Sequence, residues 1–324
     1  KMKQMQQTQT EFLKQFAGKV SANQKMPDTI AEILGISKSE AYKKINGKSL
    51  LTLPQIQTLC NHFHTSFAVF DEQNKNSSSV SFTPFHTGKI GVKEYIKSLE
   101  SFLQSIANAN QKKLTCATDD IPIFHLFQYP ELTAFKLHFW QMRVIDNAPF
   151  QFKMNEWTPS LLKPAAHMHE LYLQIPSVEV WTKTSLLNTL EQIHYAAETG
   201  IIKDKKLGRT ICNQLRDAIG NIEVYAVNRK KMKQQENSLF DWYFYDIIGT
   251  ITYLAEMDGK FTTYVRFNTF NTIRDENGPL CIEVKHWLDS LLQDATGFSG
   301  QGSVQRNKYL SKAYEQCDEM ADLF

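Results

Sequence analysis

The part of the chain that leaves least freedom to the fold is residues 29–45. Ile30, Ala31, Ile33 and Leu34 repeat at helical spacing, Gly35 breaks the pattern, and a second short helix restarts at Ser37 with Ala41 and Ile45 on its apolar side. Two short helices that cross closely need a small residue where they touch, and Ala31 and Ala41 supply one on each. The turn between them needs a residue that tolerates positive φ, which Gly35 does without steric cost. Ile30, Leu34, Ile36 and Ile45 supply the faces that lock the pair. These features together spell a helix-turn-helix.

The flanking residues extend the pattern to a four- to five-helix bundle. Phe12, Leu13, Phe16 and Val20 predict a helix over 10–22, and Pro27 suits the first turn of the next. Ser37 with Glu40, and Thr52 with Gln55, read as capping boxes that open the third and fourth helices. Ile56, Leu59 and Phe63 form the apolar stripe of the fourth. With Ala41 and Ile45 turned inward, about 100° per residue sends Ser39, Tyr42, Lys43 and Asn46 outward, and Ser37 and Lys38 lie at the helix start. Lysines neutralise phosphate, Ser and Asn can bond bases or backbone, and Tyr can pack on a thymine methyl. Charge points the same way. Residues 1–70 hold nine lysines against four acids, a net +5, whereas the whole chain is only +2 and the remainder is therefore −3. A basic head on a mildly acidic body is the asymmetry expected when only the head meets a polyanion.

Residues 10–70 resemble the Cro/phage-repressor (XRE-like) class of helix-turn-helix domains. The resemblance rests on Leu34-Gly35-Ile36-Ser37, the Asn46-Gly47-Lys48 turn and the Thr52-Leu53-Pro54-Gln55-Ile56 start of the fourth helix. It implies that helices two and three form the DNA-reading motif, that Ser37, Lys38, Ser39, Tyr42 and Lys43 face double-stranded DNA, and that the Asn46–Lys48 region touches its backbone. Lys44 is counted with this DNA-facing set. Glu40, an acid in the recognition helix, and Ala41, where the class commonly has a β-branched residue, depart from the pattern.

Beyond the head, the polar stretch 71–90 reads as a linker, and 91–324 as a larger, α-rich α+β domain for dimerisation or sensing. The overall class is mainly α. Ile96, Leu99, Leu103 and Ile106 mark a helix over 92–109, either a dimer seam or a first core helix. A short strand is expected at 114–118, with helices at 130–145, 186–198, 207–227, 280–292 and 304–323. Segments 243–254 and 261–270, joined at Asp258-Gly259, read as a hairpin.

Several constellations invite chemistry. His167 and His169 could share a metal on a strand but diverge on a helix, and spacing places no third ligand. The loop from Gly297 to Ser303, followed by Arg306 and Lys308, resembles a phosphate cradle but lacks the Gly-Lys-Ser/Thr ending, so a turn capped by Ser303 is the plainer reading. Asp119 and Asp120 near His125 read as caps rather than acid–base machinery, and the run 228–233 as a solvated basic helix end. The dense aromatics read first as core and second as the lining of a pocket for a small effector. Five scattered cysteines with no C-x-x-C pair argue against a disulfide framework or zinc ribbon. There is no apolar run long enough for a membrane span, and the polar start lacks a secretory signal. The expectation is a cytoplasmic, homodimeric DNA-binding regulator, not an enzyme, with no cofactor or metal. The rivals are a nucleotide- or metal-binding sensory enzyme that the head merely localises, and a protein-interaction scaffold.

Overall fold

The structure, a computed structural model, describes residues 2–14, 16, 20, 25–63, 80–82, 91–144, 148–232, 235, 238–267 and 270–324. The chain divides into two compact units, Lys1–Ser79 and Val80–Phe324.

Among the described residues, the first unit contains four α-helices: α1 (Met2–Lys14), α2 (Met26–Leu34), α3 (Lys38–Ile45) and α4 (Leu53–His62). Helix α1 starts well upstream of the expected 10–22, and much of that segment's second half lies outside the described residues. Phe12, Leu13, Phe16, Ile30, Ala31, Ala41, Leu59 and Phe63 form one core. Phe16 stacks on Phe63 at 4.4 Å between ring centroids, and Phe12 meets Phe16 edge-on at 4.8 Å. Gly35 closes α2 at φ 63°, ψ 34°, the left-handed conformation anticipated for the turn.

The second unit is built on a mixed eight-stranded sheet in the order β1-β7-β6-β5-β2-β3-β4-β8. Its strands are β1 (Ser81–Phe82), β2 (Lys112–Thr118), β3 (Ser177–Trp181), β4 (Phe240–Phe244), β5 (Thr252–Met257), β6 (Lys260–Arg266), β7 (Thr272–Glu276) and β8 (Thr296–Gly297). Strands β2, β3 and β4 are parallel and the other neighbours antiparallel. The parallel trio requires crossovers. Helices α6 (Pro130–Val144) and α7 (Pro159–Leu173) join β2 to β3, and α8 (Thr184–Glu198) and α9 (Lys205–Asn228) join β3 to β4. Alternation along each strand sends Leu114, Trp181, Phe240 and Trp242 into one core, with these helices, α5 (Val92–Ala107) and α11 (Val304–Asp322). Ala117, Val180 and Leu254 point to the other face, where Val284, Leu288 and Leu291 of α10 (Pro279–Asp294) pack.

Most of the expected helices form within a few residues of their anticipated limits, and the whole is α-rich α+β. Three differences matter. The expected strand 243–254 is two strands: Phe240–Phe244 pairs in parallel with β3, and only Thr252–Met257 forms the hairpin with β6. That hairpin turns on Asp258 and Gly259, both at positive φ, as a two-residue turn matched to strand twist requires. The stripe of α5 is spent inside the chain: Val92, Ile96, Phe102, Leu103 and Ile106 are buried, and α5 packs on α7, so it is a core helix and not a dimer seam. Within the expected linker, 71–79 and 83–90 lie outside the described residues, but Ser81–Phe82 pairs with β7 and Val80 belongs to the second unit.

Candidate nucleic-acid interface

Helix α3 is held at both ends. At its start, the Ser37 hydroxyl accepts a hydrogen bond from the Glu40 N–H at 3.2 Å. Only half of the expected capping box forms, because the Glu40 carboxylate lies 3.9 Å from Lys44 Nζ instead of returning to Ser37. Helix α4 opens with the complete box. Gln55 N–H donates to Thr52 Oγ1 (3.4 Å), and Thr52 N–H donates to Gln55 Oε1 (3.1 Å).

The turn after α3 is clamped by α1, which sequence reasoning did not anticipate. The Gln9 side chain is buried; its Nε2 donates to the carbonyls of Lys44 (2.7 Å) and Ser49 (2.8 Å), and its Oε1 accepts from Leu51 N–H (2.6 Å). Gly47, at φ 69°, lies so near α1 that a Cβ there would come within 3.2 Å of Thr10 Oγ1 and 3.3 Å of the Gln6 carbonyl. Close approach and left-handed backbone both require glycine at this position.

Lys44 leaves the outward set. Its side chain is only 5% exposed, and Nζ donates to the Leu50 carbonyl at 3.0 Å. The pattern contained the reason: Lys44 follows Ala41 by three residues, about 300° on and therefore on the same flank. Ser37, Lys38, Ser39, Tyr42, Lys43, Asn46 and Lys48 are all exposed. Measured from Ser39, Tyr42, Lys43 and Asn46 fall within about 60°, so they form one arc of the helix. Tyr42 is 55% exposed. Lys38 is partly committed, its Nζ lying 2.9 Å from Asp28 Oδ1 on α2. Both partners are well exposed, so this pair is weak and exchangeable.

Residues 9–93 match the BetR domain. This is a family of helix-turn-helix-type DNA-binding domains; the match is consistent with the N-terminal helix-turn-helix and suggests a DNA-binding regulatory role. The match covers about a quarter of the chain and extends past the expected end of the head at residue 70. No curated protein and no solved structure matches the chain.

The other constellations resolve differently. His167 and His169 lie on α7; His167 is exposed near Glu170 (3.5 Å), whereas His169 is buried with its Nδ1 2.8 Å from the Phe124 carbonyl. Among the described residues no group of three His, Cys, Asp or Glu side chains could hold a metal, and no helix is long and apolar enough to cross a membrane. In the glycine loop, Ser303 accepts from Arg306 N–H as expected. The Arg306 guanidinium is buried beneath the loop, however, donating to the Phe298 carbonyl (2.7 Å) and the Gly300 carbonyl (2.5 Å). It secures the loop from within and is not offered to a phosphate.

The basic run 228–233 is not uniformly solvated. Lys231 is buried and its Nζ donates to the carbonyls of Tyr172 (2.7 Å) and Ile175 (2.5 Å) and to Ser177 Oγ (3.0 Å). Burial pushes its pKa down to about 7, against the attraction of Glu179. Glu179 sits in the same core with His125 Nε2 3.0 Å away, while Trp181 Nε1 (2.8 Å) and the Tyr172 hydroxyl donate to it. Burial alone would raise the Glu179 pKa, but the charge and hydrogen bond of His125 and the bond from Tyr172 outweigh it and bring it below the usual carboxylate value. His125 is therefore engaged with Glu179 and not with Asp119 or Asp120.

Proposed function

We propose that the chain is a sequence-specific, double-stranded DNA-binding transcriptional regulator of the Cro/phage-repressor kind, acting in the cytoplasm as a homodimer, and not an enzyme. The observation that carries this reading is the outward arc of α3. Ser39, Tyr42, Lys43 and Asn46 project from a helix whose other side is anchored by Ala41, Ile45 and the buried Lys44. A helix locked at both ends, presenting one tyrosine, one lysine and two short polar side chains, suits insertion into a major groove. The match to the BetR domain and the net +5 of residues 1–70 support the same partner. One small head covers only about 600–1,000 Å² of DNA, so useful affinity calls for two heads on a two-fold site with half-sites about 34 Å apart. The second unit then supplies dimer contacts or senses a small effector.

The test is a gel-shift titration against duplex selected from a random pool. Tyr42→Ala and Lys43→Glu should each weaken binding about five- to 150-fold, the equivalent of about 1–3 kcal/mol per lost contact, with unchanged far-UV circular dichroism. Lys43→Glu should also flatten the salt dependence. Wild-type affinity in both folded variants would defeat the assignment.

A further inference from the structure

The second unit has a cavity of about 340 Å³ outside the carboxyl end of β2, lined by Asp119, Asp120, Trp140, Arg143, Gln192 and Arg266 among others. Its volume lies at the lower end of the roughly 300–1,000 Å³ range of small-molecule sites. Its position is where open parallel sheets bind ligands. Register explains the convergence: Ala117 of β2 faces Thr252, and Thr252 faces Val265, so the end of β2, the start of β5 and the end of β6 meet at one edge.

The charges here are unevenly matched. Asp120 is buried and fully engaged by Lys136, whose Nζ lies 2.9 Å from Oδ2 and also donates to Thr189 Oγ1 (3.0 Å) and Gln192 Oε1 (2.9 Å). That many acceptors around one nitrogen suit an ammonium, so this pair cancels. Asp119 makes one long ion pair, 3.9 Å, with Arg266 Nη2. Arg143 forms no ion pair among the described residues. Its guanidinium is laid between the rings of Phe139 (5.1 Å) and Tyr195 (5.3 Å), and that of Arg266 lies 5.8 Å from the Trp140 ring. Aromatic faces orient both planar cations and leave their N–H edges available for a bidentate acceptor. Two guanidiniums against one partly free carboxylate leave an excess of a single positive charge.

We propose that this cavity binds a small organic monoanion through its carboxylate, which bridges Arg143 and Arg266 while the rest of the molecule lies against Trp140. A phosphate monoester, carrying about −1.5 to −2 at neutral pH, would overcompensate the single excess charge. Asp119 remains available to accept a hydrogen bond from a hydroxyl or ammonium group on the same ligand. The proposal does not depend on DNA binding and is tested without DNA.

The full-length protein is titrated calorimetrically with acetate, L-lactate, L-glutamate and benzoate, with acetamide and benzamide as uncharged counterparts and inorganic phosphate as the competing anion. At least one carboxylate should bind saturably at one per chain, and the amides should not bind. Arg143→Gln, at an exposed position where folding is not at stake, and Arg266→Gln should each weaken that binding at least tenfold, with folding checked by circular dichroism. Absence of carboxylate binding, saturable binding of phosphate alone, or carboxylate affinity unchanged in both variants would each overturn the proposal.

Discussion

Replacing Gln9 by Leu removes three hydrogen bonds while nearly conserving side-chain volume. The Ser49 carbonyl loses its donor and the Leu51 N–H its acceptor, while the Lys44 carbonyl loses one donor and keeps the Gly47 N–H at 3.1 Å. A neutral hydrogen bond contributes about 1 kcal/mol net, and a buried group left unpaired costs somewhat more. Ser49 and Leu51 are half-buried and can recover water when the turn opens, so the loss should be about 2–3 kcal/mol. In local opening this amounts to roughly 30- to 150-fold faster amide exchange across residues 44–51. Hydrogen–deuterium exchange with mass spectrometry on the full chain reads the head separately from the tryptophan-bearing second unit. The same turn carries Asn46 and Lys48, so affinity for duplex DNA should fall with it. Exchange over 44–51 within a few-fold of wild type would refute the view that α1 clamps the recognition helix through Gln9.

Lys44→Met and Lys43→Met should behave oppositely. The first should speed exchange in α3 and leave the slope of log affinity against log salt intact; the second should leave exchange unchanged and reduce the magnitude of that slope by about one. Gly35→Ala places a β-carbon on left-handed backbone that meets no neighbouring atom, so its cost is backbone strain alone, about 1 kcal/mol, seen as faster exchange at the α2–α3 turn. Lys231 gives up its proton near pH 7 in the native state but near 10.5 when unfolded. The unfolded chain therefore binds the extra proton between these values, and stability falls as pH is lowered from about 10.5 to about 7, levelling below. Urea titrations followed by tryptophan fluorescence should show this slope flattened in Lys231→Met; parallel profiles would count against it.

What could be read from the sequence was what neighbouring residues decide. Gly35 in the turn, Ser37 and Ser303 as caps, the Thr52–Gln55 box and the Asp258-Gly259 hairpin all follow from residues within four positions of one another. Features set by distant partners could not be read in this way. Lys231 and Arg306 look like surface charges until the carbonyls that receive them are known, and for Lys231 those lie 56 and 59 residues away. Gln9 reaches 35 to 42 residues along the chain. Phe240–Phe244 merges with the following apolar residues by composition, and only parallel pairing with β3 separates it. The charge balance around Asp120 depends on Lys136, 16 residues on and buried in a helix whose residues 132–140 are enclosed on all sides. In the candidate interface, the residues that helical geometry sends outward, Ser39, Tyr42, Lys43 and Asn46, are exposed, whereas Lys44, counted with the DNA-facing set against that geometry, is buried.

The most direct test of the central claim is a hydrogen–deuterium exchange footprint of the full chain with and without a duplex selected from a random pool at low ionic strength. The account predicts slowed exchange concentrated over residues 37–48, with Lys43→Glu abolishing it. Retention of duplex with those residues unaffected, or failure of any duplex to be retained, would contradict it.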